Sequence, residues 1–153
     1  MRRVVIALTL TAIVAGCERQ THEPTDSPAA EPSGAAPSGI WSTAWRLTDL
    51  GGAGVLEGAE ATLEFPEEGR VVGRGGCNRF FAIVAVTGET IRFSGIGSTR
   101  MACAEPLATQ EAKYLTALES AERFAIEGDG LVIHSSGSAE PLRFARAIPP
   151  STP

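Results

Sequence analysis

Along most of this chain the apolar residues recur with a period of two. In "ATLEF", Ala61, Leu63 and Phe65 alternate with Thr62 and Glu64, the pattern of a strand with one face on a core. "RVVG" follows the turn-like "PEEG", which predicts a hairpin. "FFAIVAV" at 80–86 is apolar throughout and is joined through "TGE" to "TIRF", where Ile91 and Phe93 share a face. In "RFAIEGDGLVIH", Phe124 and Ile126 alternate, "GDG" turns, and Leu131 and Ile133 alternate: a second hairpin. With "AWRLTDL" at 44–50 as a first strand and "PLRF" at 141–144 as a last, the count is about eight. One segment keeps a different period. In "EPLATQEAKYLTALES", Leu107, Tyr114, Leu115 and Leu118 fall on one helical face, which Glu111 interrupts, and Pro106 suits a first helical turn. The pattern predicts an α+β domain: mostly antiparallel β, a strongly curved sheet or open barrel, with one amphipathic helix near 105–120.

The ends of the chain differ from this middle. Its 153 residues suffice for one domain. The first sixteen, two arginines and then a short apolar run, read as a signal peptide too short to span a bilayer comfortably. "VAGC" at 14–17 resembles the lipobox of bacterial lipoproteins. That resemblance implies cleavage before Cys17, its lipidation, and a mature protein held to a membrane by acyl chains. Residues 18–39 contain four prolines and no large apolar side chain, so they predict a disordered tether, with His22 solvated inside it. The folded part is expected at 40–147, with 148–153 a disordered tail. Glu18 stands where an aspartate would signal inner-membrane retention, so sorting to the outer membrane is expected in an organism with two membranes.

Without residues 1–16 the chain carries 11 basic and 18 acidic residues, a formal charge of −7. So acidic a protein lacks the basic footprint that nucleic acid requires, and no nucleic-acid partner is expected.

Three further segments carry a family resemblance. "GRGGCNRFFA" at 73–82, "STRMAC" at 98–103 and "QEAKYLTAL" at 110–118 stand in the order found in META domains, the domains of HslJ-type heat-inducible lipoproteins. "AWRLTDLGG" is similar to that family's opening segment and "FAIEGDGLVI" to its late hairpin. Ala82, Ile83 and Val84 stand where the family usually has small or polar residues before an aromatic. The resemblance implies a small, mostly β envelope domain, often lipid-anchored, linked with heat stress and novobiocin resistance. It brings no reaction, cofactor or ligand.

The remaining chemistry turns on the cysteines. With Cys17 assigned to lipid, Cys77 and Cys103 are left as an even pair in an exported chain. A disulfide between them would be worth roughly 3–4 kcal/mol in the chain-entropy model. The competing reading makes Cys77 a thiol nucleophile with His134 as base. His134 has the parity of Val132, opposite Leu131 and Ile133, so it is expected to face away from the core. Two cysteines and one histidine are too few for a closed zinc site, and no metal or cofactor is expected. The glycines match neither dinucleotide nor P-loop spacing.

Asn78, Arg79, Ser98, Thr99 and Arg100 flank the cysteine pair and are the candidate binding rim. Asn78 suits an unusual backbone angle, and the arginines suit either plain solvation or contact with an anionic ligand or partner protein. The leading expectation is a non-enzymatic, lipid-anchored envelope domain that binds an envelope component under stress. A Cys77-dependent hydrolase or oxidoreductase and a protease-inhibitor or scaffold protein are the alternatives.

Overall fold

A computed structural model describes residues 39–147. The signal peptide expected at 1–16, Cys17 with its expected lipidation, His22 and all but the last residue of the expected tether, and the tail expected at 148–153 lie outside the described residues. Eight strands and one helix follow in chain order: β1 (Thr43–Leu50), β2 (Glu60–Glu67), β3 (Arg70–Gly76), β4 (Arg79–Thr87), β5 (Thr90–Ser98), α1 (Leu107–Glu119), β6 (Ala121–Glu127), β7 (Gly130–Ser135) and β8 (Leu142–Ala147).

Each strand pairs antiparallel with the next, and β8 returns to pair with β1, so the sheet closes into a barrel. The mostly antiparallel β fold of eight strands with one helix is the one expected, and the strongly curved sheet closes completely. The closing ladder sets Leu47 opposite Phe144 and Leu50 opposite Leu142. No local period encodes contacts of such sequence separation. The short turns are those the sequence announces: in "GDG", Gly128 takes φ +60°, which a tight two-residue hairpin requires, and Glu127 pairs with Gly130. The seam between β5 and β6 is the thinnest, with Thr90 opposite Arg123 and a single further bond from Phe124 N to Glu89 O.

Inward side chains of all eight strands fill the barrel, with Trp45, Leu63, Phe65, Ile91, Leu131 and Ile133 fully buried. Helix α1 connects β5 to β6 and adds Tyr114 and Leu118 to this core. The Tyr114 ring meets Phe80 of β4 edge-on at 5.9 Å and Phe144 of β8 at 6.2 Å. Its hydroxyl donates to Thr62 O of β2 at 3.2 Å. One helical side chain therefore touches three walls of the barrel.

The buried helical face is Gln110, Glu111, Tyr114 and Leu118, while Leu107 and Leu115 are only half-buried. The apolar stripe read from the sequence is thus rotated toward the residue that interrupted it. Glu111 points inward because the β3–β4 turn holds its carboxylate. Pro106 stands at the N-cap rather than in the first turn.

Candidate functional site

The β3–β4 connection is built around that carboxylate. Gly75 N donates to Asn78 O across the turn at 2.8 Å. Glu111 Oε2 accepts from Asn78 N at 2.6 Å and from Cys77 N at 3.0 Å, and its Oε1 accepts from Asn78 Nδ2 at 2.7 Å. A buried charge is tolerated only where such donors replace its lost water. Asn78 passes the connection on: its Oδ1 accepts from Thr99 Oγ1 and Met101 N, both at 2.8 Å. The glycines of "GRGG" make room for this arrangement. A Cβ on Gly75 would stand 2.5 Å from Glu111 Cγ, and one on Gly73 would strike Thr62 O of the neighbouring strand.

Cys77 and Cys103 are joined in a disulfide with their Cα atoms 6.2 Å apart, which ties the same turn to the segment entering α1. His134 is exposed on β7, four strands from β3 in the barrel order, so it stands on a different wall from Cys77. Among the described residues no group of three or more His, Cys, Asp or Glu side chains is placed to hold a metal.

The expected rim is divided by this geometry. Asn78 is only 6% exposed and both ends of its amide are occupied, so it supports the turn from within instead of lining a rim. Arg79, Ser98, Thr99 and Arg100 are exposed. Thr99 is partly committed, since its hydroxyl donates to Asn78 and accepts from Arg79 N at 3.2 Å. Arg79, Ser98 and Thr99 line an open groove of about 640 Å³ on the outside of the barrel, together with Arg70, Arg74 and Phe81.

The last three of these were missed from the sequence. The signal for Phe81 was the unbroken run "FFAIVAV": a strand whose outer face meets water normally alternates, and this one does not. Phe81 is 61% exposed and Ile83 64%. The Phe81 ring lies against the backbone of Gly97 on β5, where a Cβ would come within 2.6 Å of it. Arg74 stands directly opposite Arg79 in the β3–β4 register, a relation visible only once the register is known.

The helix carries two further buried polar groups. Gln110 Oε1 accepts from Leu56 N at 2.7 Å, while its Nε2 is buried without a partner among the described residues. Complete burial pushes the Tyr114 hydroxyl well above the ordinary tyrosine pKa.

The META domain model matches residues 39–148. No curated protein matches the chain. Among solved structures, an NMR structure of a protein from Burkholderia xenovorans is similar at 25% identity and a TM-score of 0.60, covering 82% of this chain and 97% of that one. A second NMR structure is similar at 20% identity and a TM-score of 0.59, over 72% of this chain and 94% of its own. A crystal structure of a DUF4847 family protein from Bacteroides vulgatus shares the fold at 16% identity and a TM-score of 0.50, over 69% and 93% of the two chains. With the family model spanning every described strand and the helix, the chain belongs to the META domain family.

Proposed function

We propose that this protein is an HslJ-like lipoprotein of the bacterial envelope that acts under stress by binding, not by catalysis. The observation that carries this reading is the use made of the "GCN" turn. The Cys77 sulfur is bonded to Cys103, and Asn78 and Glu111 spend their polar atoms on each other, on neighbouring backbone and on the Thr99 hydroxyl. The groups best suited to chemistry thus serve architecture, while the exposed groups around the groove are guanidinium, hydroxyl and aromatic, with the half-buried carboxylate of Glu64 beside three arginines, a set suited to recognition. A Cys77-dependent enzyme would first need the disulfide reduced. The disulfide also fits export to an oxidising compartment.

Anchoring through Cys17 is tested by growing cells with a labelled fatty acid. The natural chain should take up label and fractionate with the outer membrane, and a Cys17→Ser chain should do neither. Equal labelling of the two would sink the anchor, and an inner-membrane location would overturn the sorting.

A further inference from the structure

The charges of the described residues are segregated. Five of their ten basic groups, Arg70, Arg74, Arg79, Arg92 and Arg100, lie between residues 70 and 100, against one carboxylate, Glu89. The other described residues hold five basic and thirteen acidic groups. The strand period sends these arginines outward: Val71, Gly73, Ile91 and Phe93 are buried, so Arg70, Arg74 and Arg92 face solvent, as does Arg79 at the start of β4.

Their charges are left unanswered within the described residues. Only Arg70 has an acidic partner, Glu67 at 3.3 Å, and with both side chains more than 60% exposed the pair is weak. No carboxylate of the described residues lies within 4.0 Å of Arg74, Arg79, Arg92 or Arg100. Arg74 and Arg79 stand opposite each other on paired strands, a repulsive arrangement unless an anion sits between them. The same face exposes Phe81 and Ile83, two of the four large hydrophobic side chains that the described residues show to water.

From these observations the geometry points to the outer face of β3–β5 as a membrane-docking surface for anionic phospholipid headgroups. Phe81 and Ile83 enter the interfacial layer while the arginines around them pair with phosphates. Charge complementarity selects the anionic lipid, and the exposed apolar pair selects an amphiphilic surface over a soluble polyanion. This deepens the anchored reading above and rests on it. The 21 residues from 18 to 38 between Cys17 and the described fold span at most about 75 Å at about 3.6 Å per residue, so an anchored chain keeps the face close to the bilayer and a weak affinity suffices.

The test uses the Cys17→Ser chain purified from the soluble fraction, so that the surface and not the acyl chains is measured. It should sediment with vesicles of phosphatidylcholine mixed with phosphatidylglycerol, more weakly as salt rises, and not with phosphatidylcholine alone. Arg74→Ala with Arg79→Ala should lower the partition about 25-fold, at about fivefold per arginine near an anionic surface. Phe81→Ser should weaken binding without changing its salt dependence. If the first pair of substitutions disturbs the thermal unfolding, Arg92→Ala with Arg100→Ala replaces it with the same expected loss. Equal binding to both vesicles, or no loss in either arginine pair, would overturn the proposal. So would release from vesicles by millimolar glycerol phosphate, which would make the groove a small-anion site. Failure of fatty-acid labelling at Cys17 would remove the anchor and leave the vesicle result standing.

Discussion

Glu111 is the side chain on which the local design depends. Its carboxylate is buried and takes three hydrogen bonds from two consecutive residues of the β3–β4 turn. Glu111→Ala leaves those donors facing apolar surroundings and should cost about 3 kcal/mol in denaturant unfolding. Gly75→Ala should cost about 2 kcal/mol by forcing a methyl against the Glu111 stem. Because the second clash needs the first side chain, the double variant should fall short of the sum by about 1 kcal/mol or more, and strict additivity would refute the contact.

Tyr114 gives a second prediction at this scale. Burial raises its pKa, so the folded chain keeps the phenolic proton at a pH where the unfolded chain, near pH 10, has lost it. Above pH 10 the unfolded state therefore binds fewer protons, and stability should fall by up to about 1.4 kcal/mol per pH unit until the folded-state pKa is reached. Since Tyr114 is the only tyrosine, tyrosinate absorbance reads it directly. Titration of the native protein near pH 10 would contradict the burial. In the sequence Tyr114 was legible as core, whereas Glu111 showed only as a flaw in an apolar stripe. Its partners are two backbone N–H groups and the Asn78 amide at a turn more than thirty residues away, which no helical period can announce.

At the scale of elements, the disulfide and the Asn78–Glu111 network act on different parts of one junction. The network holds α1 to the β3–β4 turn, and the disulfide holds the segment 99–106 that leads into α1. Cys77→Ala with Cys103→Ala should cost about 3–4 kcal/mol by relaxing the unfolded chain, for a sequence separation of 26. The expected local sign is faster tryptic cleavage after the exposed Arg100, with the barrel strands still protected. Cleavage at Arg100 at the same rate in the bridged and unbridged chains would show that the bridge does not restrain that segment. The strands themselves were legible one by one, because alternation and glycine turns are local properties. The outward-facing apolar pair of β4 was legible only as an excess, seven apolar residues where alternation needs about half.

For the whole molecule, closure is the governing fact. All eight strand pairs, including the β1–β8 ladder, lie within residues 43–147. A chain cut to residues 39–147 retains every described pair and should unfold at the same temperature as the longer soluble chain, within about 2 °C. A clear drop would mean that segments outside this range contribute to the fold. Closure also sets the two sides of the protein apart, since a barrel wall has only an inside for packing and an outside for recognition. Arg70, Arg74, Arg79 and Arg92 are an outside property of β3–β5, with the exposed Arg100 just past the end of β5, and they gather there because consecutive antiparallel strands bring neighbouring parts of the sequence side by side.

By itself the sequence determined the strands, the helix, the turns between hairpins and the kinship with META domains. These depend on side-chain period, turn chemistry and short motifs, all of which act over a few residues. Only the tertiary structure decided that the sheet closes, that Asn78 is an internal strut, and that Glu111 belongs to the interior. Only it set Arg74 opposite Arg79 beside an exposed Phe81. Each of those depends on register or on contacts between distant segments, where the free energy of pairing is shared by residues that carry no mark of one another in the chain.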